Sequence, residues 1–240
     1  MVGGKLVPTR VARIRRPVAA LTNHILSHLP APERTALLKD AEYVVLPAGE
    51  TVARAGELVS TAFFPETGLI SSISEMATGH HCAVTVVGED GVLGLEPLFN
   101  VTHHPFRLVS LLRSAGYRLP TERLLEAFDQ SVSMRVFTLE HVGHLLTEIA
   151  TLAACSRVHS HRHRLARWLL VMSDKAQQSS LPITHDVLAD LVGGPRHAVT
   201  IGLNHLKKWG AVAHVRGRID ILNRGVLVAN ACECYGRSIR

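Results

Sequence analysis

Three observations predict an α+β chain: an N-terminal jelly-roll-like β-roll, a long dimerisation helix and a C-terminal winged helix-turn-helix. Between Tyr43 and Leu119, short β-branched or aromatic runs alternate with turns built on Gly and Pro. Such runs, spaced for brief strands, indicate an all-β roll. From Pro120 onward the apolar residues fall at helical spacing instead. Residues 183–222 then read as two short helices joined through glycines and followed by a hairpin.

Residues 1–16 contain Gly3-Gly4, five basic side chains (Lys5, Arg10, Arg13, Arg15, Arg16) and no acid, which predicts a flexible basic tail. From Val18 to Leu38, apolar spacing predicts short helices interrupted at Pro30-Ala31-Pro32. Strands are expected at Tyr43–Leu46, Thr51–Ala53, Thr61–Phe64, Leu69–Ser74, Ala83–Val87, Phe106–Leu112 and Tyr117–Leu119. A turn of helix is expected around Val92–Phe99. Thr121 is expected to cap a short helix holding Leu124, Leu125 and Phe128. The next helix, about Ser131–Ser156, carries Val132, Val136, Leu139, Val142, Leu146, Ile149 and Ala153 on one stripe. Steps of three and four suit packing against another helix. At about 39 Å this helix exceeds what one small body requires, so a second subunit is expected to cover the stripe. A further helix spans Arg164–Ala176. The domain plan is therefore a tail at 1–16, a β-roll at 17–130, a dimerisation helix at 131–158 and a helix-turn-helix domain at 159–240.

Charge follows the same plan. The net +6 divides into +5 for residues 1–16, −7 for 17–156 and +8 for 157–240. A basic C-terminal module is suited to nucleic acid, since Lys and Arg release counterions from phosphate. No apolar run approaches the ~18 residues of a membrane span, and no apolar h-region precedes Pro17. Four unevenly spaced cysteines do not make a disulfide framework. A cytoplasmic protein with no membrane partner is expected.

Within the basic module, Thr184 caps the first short helix and Asp186 favours its positive end. Gly193-Gly194 permits a tight turn, and Pro195 opens the second helix. That helix buries Val199, Leu203 and Leu206 and shows Arg196, His197, Thr200, Asn204, Lys207 and Lys208. Strands Val212–Val215 and Arg218–Leu222 around Arg216-Gly217 make a wing whose tip reaches toward phosphate.

The run PITHDVLADLVGGPRHAVTIGLNHLKKWGAVAHVRGRIDILN, Pro182 to Asn223, resembles the winged helix-turn-helix of the Crp/Fnr superfamily of bacterial transcription regulators. Upstream, LPAGETVARAGELVSTAFFPETGLISSI (46–73) is similar to the opening hairpins of that superfamily's cyclic-nucleotide-binding-like roll. The central helix and HRHRLARWLL (161–170) match the family's order, HRLARWLL (163–170) and the terminal CECY resemble one proteobacterial subgroup, and the likeness covers about residues 20–235. It implies a homodimeric regulator on double-stranded DNA, with residues 17–130 as its sensor domain, 159–240 as its DNA-binding domain and RNA polymerase as a partner if it activates. Arg196 stands where the family reads a guanine edge, and His197, Thr200 and Asn204 complete the base-reading set. Thr184, Lys207, Lys208, Arg216 and Arg218 are assigned to phosphate. His197 and Ile201 depart from the family's usual Glu and second Arg, so its usual half-site is not carried over.

At the family's effector site the pattern breaks. Cyclic-nucleotide binders carry Gly-Glu for the ribose and Arg-Ser or Arg-Thr for the phosphate. Here Gly94, Glu96, His104 and Arg107 are the weak effector-pocket residues, with His104-Pro105 in the Arg-Ser/Thr place and Arg107 three residues late. No cofactor is expected: neither a cyclic nucleotide nor an iron–sulfur cluster, since no cysteine precedes Cys82. No metal ligands are assigned. His159 and His163 stand at i, i+4 with Cys155 one turn earlier, and His80-His81 and His103-His104 fall on the roll. Neither set has a closed ligand spacing, and Cys232-x-Cys234 is too short for a redox C-x-x-C. Hydrolase and nucleotide-binding motifs are absent, so no enzyme is expected. The alternatives are a metal-dependent, cupin-like β-roll enzyme or a metal- or redox-sensing regulator.

Overall fold

The computed structural model describes residues 21–237; the basic tail expected at 1–16 lies outside them. Two short helices open the described chain, α1 (His24–His28) and α2 (Ala31–Leu38). Pro30 takes the cap position between them and Pro32 lies in the first turn of α2, where a missing N–H costs nothing.

Seven strands follow in two antiparallel sheets. β1 (Glu42–Leu46), β7 (Ser114–Pro120) and β3 (Thr61–Thr67) form one, in that order. β2 (Thr51–Ala53), β6 (Arg107–Ser110), β4 (Ile70–Glu75) and β5 (His81–Val87) form the other. Pro65 is tolerated because β3 is an edge strand and its register shifts between Pro65 and Thr67. Val44, Leu46, Phe63, Ile70, Val87, Leu93 and Leu108 form a core of the roll. Phe64, Tyr117 and Leu119 pack instead with Ile25, Leu26, Leu37, Leu124 and Met134 from the helices.

The turn expected around Val92–Phe99 is a 3-10 turn at Glu96–Phe99. α3 (Thr121–Gln130) differs from its sequence reading. Pro120 holds the cap position, while Thr121 is the first helical residue and its hydroxyl is buried without a hydrogen-bond partner among the described residues. Thr121 therefore does not cap the helix.

α4 (Val132–Val158) has 27 residues and is capped by Ser131, whose Oγ accepts from the Met134 N–H at 2.9 Å. Its buried residues are mostly polar: Met134, Thr138, His141, Glu148, Thr151 and Cys155. The apolar stripe therefore faces away from the body. Val132 is 70% exposed, Val136 54%, Leu139 51% and Leu146 64%. Val142 leaves this stripe, because it is half-buried against the Phe64–Met134 cluster. Gly143 and Ala150, one residue on, are exposed.

α5 (His161–Lys175) is almost wholly buried and joins the two halves of the molecule. Leu165, Trp168, Leu169 and Met172 share one core with Leu69, Ala83, Val86, Leu111 and Leu112 of the roll. Leu188, Leu191, Val199, Leu203 and Leu206 of the C-terminal half complete that core. A polar contact crosses the same junction: Lys175 Nζ lies 2.6 Å from Asp90 Oδ2 and 3.4 Å from Glu148 Oε2. Burial alone would lower the Lys175 pKa, but the two carboxylates outweigh it and raise it. No helix among the described residues is long and apolar enough to cross a membrane.

Candidate nucleic-acid interface

α6 (His185–Val192) and α7 (Arg196–Lys208) form the helix-turn-helix. Thr184 Oγ1 accepts from the Val187 N–H at 3.3 Å, so its hydroxyl is engaged as the α6 cap. Gly193 ends α6 at φ +68°, a left-handed conformation that a side chain would strain. β9 (Val212–Val215) and β10 (Arg218–Ile221) form the wing, and β8 (Ser180–Leu181) pairs with β10 to complete a small sheet. Gly217, at φ +74°, closes the two-residue wing loop. α8 (Arg224–Ala229) and a 3-10 turn at Glu233–Arg237 finish the described chain.

On α7 the exposed residues are Arg196, His197, Ile201, Asn204, His205, Lys207 and Lys208, while Val199, Leu203 and Leu206 are buried. The N-terminal end of α7 is thus free to present side chains outward. Arg196 Nε lies 3.2 Å from Asp186 Oδ1, a carboxylate that holds the guanidinium at the mouth of the turn. Arg216 and Arg218 are exposed at the wing, and Arg218 Nε is 3.1 Å from Asp220 Oδ2. Thr184, Asp186, Arg196, His214 and Arg216 line one open groove between helix-turn-helix and wing.

Two residues of the base-reading set are already occupied. Thr200 Oγ1 lies 3.0 Å from His185 Nδ1, and Asn204 Oδ1 lies 3.2 Å from His214 Nε2. The two imidazoles meet edge to face at 5.7 Å. Burial lowers the His214 pKa, and His185 and Lys207 lower it further. The sequence reading missed this pair, which connects α6, α7 and β9. It also left Ile201 without a role, although at 56% exposure it is an outward apolar group among polar neighbours.

The effector-pocket residues do not come together as one set. Glu96 Oε1 meets His104 Nδ1 at 3.0 Å. Gly94 approaches β3 so closely that a Cβ would sit 2.4 Å from the Thr61 carbonyl oxygen. Arg107 is elsewhere: its Nε is 2.5 Å from Glu75 Oε1, and its charge acts on Asp190 of α6. Its assignment to an effector pocket is therefore corrected, because the Glu75 carboxylate at the roll's contact with α6 holds it.

Among the described residues, one group of three or more metal-ligating side chains converges: Cys155, His159, Cys232 and Cys234. The sequence reading assigned no ligand set and paired His159 with His163, which is not in this group. Among the described residues of the roll no such group forms; there His80 meets Thr78 and His103 meets Thr102.

Comparison with known proteins agrees with this architecture. Residues 163–229 match the Crp-like helix-turn-helix domain. The chain also has the fold of several solved proteins, CRP/FNR-family transcriptional regulators among them. FixK2 of Bradyrhizobium japonicum superposes with a TM-score of 0.69 at 16% identity, covering 80% of this chain and 98% of its own. TTHA1359 of Thermus thermophilus, a CRP/FNR-family transcriptional regulator, gives 0.66 at 21% identity over 79% and 98%. The c-di-GMP-responsive global regulator CLP of Xanthomonas campestris gives 0.67 at 18% over 81% and 100%. No curated protein matches by sequence. The residues that match the Crp-like domain thus carry Arg196 on the second helix and Arg216 and Arg218 on the wing.

Proposed function

We propose that this chain is a cytoplasmic, sequence-specific DNA-binding transcription regulator that binds a near-palindromic operator as a homodimer. The observation that carries the reading is the outward set on α7, with Arg196, His197 and Ile201 near its start and Lys207 and Lys208 at its end, beside Arg216 on the wing. Arg196 reads a guanine edge and Ile201 packs on a thymine methyl. Lys207, Lys208, Arg216 and Arg218 hold phosphate, and the Thr184 end of α6 faces the backbone.

The outward stripe of α4 supports the dimer. Val132, Val136, Leu139 and Leu146 are left uncovered by the described residues of their own protomer, and Gly143 and Ala150 let a second helix approach closely. Two α7 helices then enter successive major grooves about 34 Å apart. In this reading no cyclic nucleotide is bound, because His104 stands where the phosphate would need a permanent cation, and its Nδ1 is 3.0 Å from Glu96 Oε1. RNA polymerase is a partner if the operator is placed for activation, and no catalytic activity is assigned.

The test is selection of binding sites from random duplex DNA by the purified protein. An enriched inverted repeat with half-sites one helical turn apart, and binding that falls steeply with salt, is expected. Recovery of no enriched motif would refute the reading.

A further inference from the structure

The C-terminal end of α4 meets the last turn of the chain at a pocket of sulfur. Cys155 stands one turn from the end of α4, His159 is its C-cap, and Cys232 and Cys234 bracket the start of the final 3-10 turn. The three cysteines are buried, at 1%, 6% and 5% exposure. Cys155 Sγ and Cys232 Sγ are 3.5 Å apart, and Cys234 Sγ lies 3.7 Å from His159 Nδ1. All four ligand atoms lie within 4.8 Å of one another. We propose that Cys155, His159, Cys232 and Cys234 form a structural Zn2+ site that ties the end of the long helix to the segment following the winged helix.

The donor chemistry selects the ion. Three thiolates and one imidazole are the soft-to-borderline set that zinc takes in closed tetrahedral sites. With bonds of about 2.3 Å to sulfur, a regular tetrahedron has edges of about 3.8 Å. The widest separation therefore needs to close by about 1 Å, and one metal ion fills the space.

Two neighbouring groups fit an occupied site. Glu233 Oε2 is 3.1 Å from His159 Nε2, so the carboxylate accepts from Nε2–H and leaves the Nδ1 lone pair facing the sulfurs. A carboxylate behind a ligating histidine is the usual second support of such sites. Arg167 is the other. It is fully buried, its guanidinium lies 4.6 Å over the Trp168 ring, and Nε and both terminal nitrogens have no hydrogen-bond partner among the described residues. Zn2+ with three thiolates and a neutral imidazole carries one net negative charge. Arg167, whose field reaches the Cys155 and Cys232 sulfurs, supplies the balancing positive charge. A buried cation is otherwise costly. Binding releases the protons of the protonated thiols to solvent and changes no oxidation state.

The experiment needs no DNA, so its outcome is separate from that of the regulator reading. The full chain is purified under reducing conditions and its zinc measured by plasma mass spectrometry, then exchanged with Co2+. One Zn2+ per chain is expected, with a sulfur-to-cobalt charge-transfer band and intense tetrahedral d–d bands. Cys234→Ser and His159→Gln should lose these signals, whereas Cys82→Ser, on β5 far along the chain, should retain them. The surface change Glu233→Gln keeps the fold intact and should weaken zinc affinity about 10–100-fold in a chelator competition. Sub-stoichiometric zinc that Cys82→Ser removes equally, an octahedral cobalt spectrum, or a Cys155–Cys232 disulfide in place of metal would each overturn the proposal.

Discussion

Leu146→Ala removes an apolar side chain that is 64% exposed in one protomer and lies midway along the outward stripe of α4. It deletes three carbon groups, each worth about 0.8 kcal/mol when fully buried. Scaled by the exposed fraction, the loss is about 1.5 kcal/mol per protomer if a partner helix covers it. A twofold axis makes every loss occur twice, giving about 3 kcal/mol and a dimer Kd weakened on the order of 100-fold. Sedimentation equilibrium over a concentration series reads this directly. Stability of the dilute, monomeric protein should stay the same, because Leu146 has little to lose there. Leu145→Ala is the contrasting variant: Leu145 packs on the roll's core, so its loss should appear in unfolding first. A parent protein that stays monomeric at micromolar concentration, or a Leu146→Ala dimer as tight as the parent, would refute the reasoning.

Four further outcomes are expected. Arg196→Ala should cost about 1–3 kcal/mol of specific affinity and relax preference at one base pair, measured by fluorescence anisotropy on single-base operator variants. Lys208→Ala should instead weaken all sequences alike and lower the salt slope by about 1. Lys175→Met should lower stability by about 2 kcal/mol in urea titration, since it strands Glu148, a carboxylate only 7% exposed; half-exposed Asp90 loses less to solvent. Protonation of His141 gives a pH dependence. Burial lowers its pKa to about 4 from 6.5, Asp90 and the Val92 backbone oppose that shift, and Lys175 and His144 add to it. The unfolded chain therefore binds the proton first, so this contribution is complete above pH 6.5 and is lost as pH falls toward 4. The loss amounts to about 3 kcal/mol, and melts of His141→Gln should be flatter over that window.

The strands of the roll were legible because Gly and Pro punctuate them and the runs between are β-branched. The helix-turn-helix was legible because Thr184, Gly193 and Pro195 each impose local backbone geometry. What escaped was whatever depends on the far side of an element. Val142 and Gly143 differ by one residue on α4, and only the position of the Phe64–Met134 cluster decides which faces out. Arg107 reads along the chain as a pocket cation, yet Glu75 arrives beside it from β4 through sheet pairing. The sulfur cluster joins residues 75 and 77 positions apart, so neither Cys232-x-Cys234 nor the Cys155–His159 step is diagnostic alone. A C-x3-H on one helix together with a distant C-x-C was the available signal.

The shared core under α5 limits how any signal can act. Leu69, Leu111 and Leu112 belong to the roll, yet they are buried in the same cluster as Trp168, Leu188 and Leu203. Wetting those three leucines alone would cost up to about 4–9 kcal/mol. Turning a switch from almost fully off to almost fully on takes about 5.5 kcal/mol of differential binding. Swinging the helix-turn-helix half away from its roll would therefore consume about as much free energy as the whole of such a switch. Rotation of one whole protomer against another exposes none of that surface. In the proposed dimer the moving part would then be the entire subunit, pivoting on its neighbour along a seam of valine, leucine, glycine and alanine.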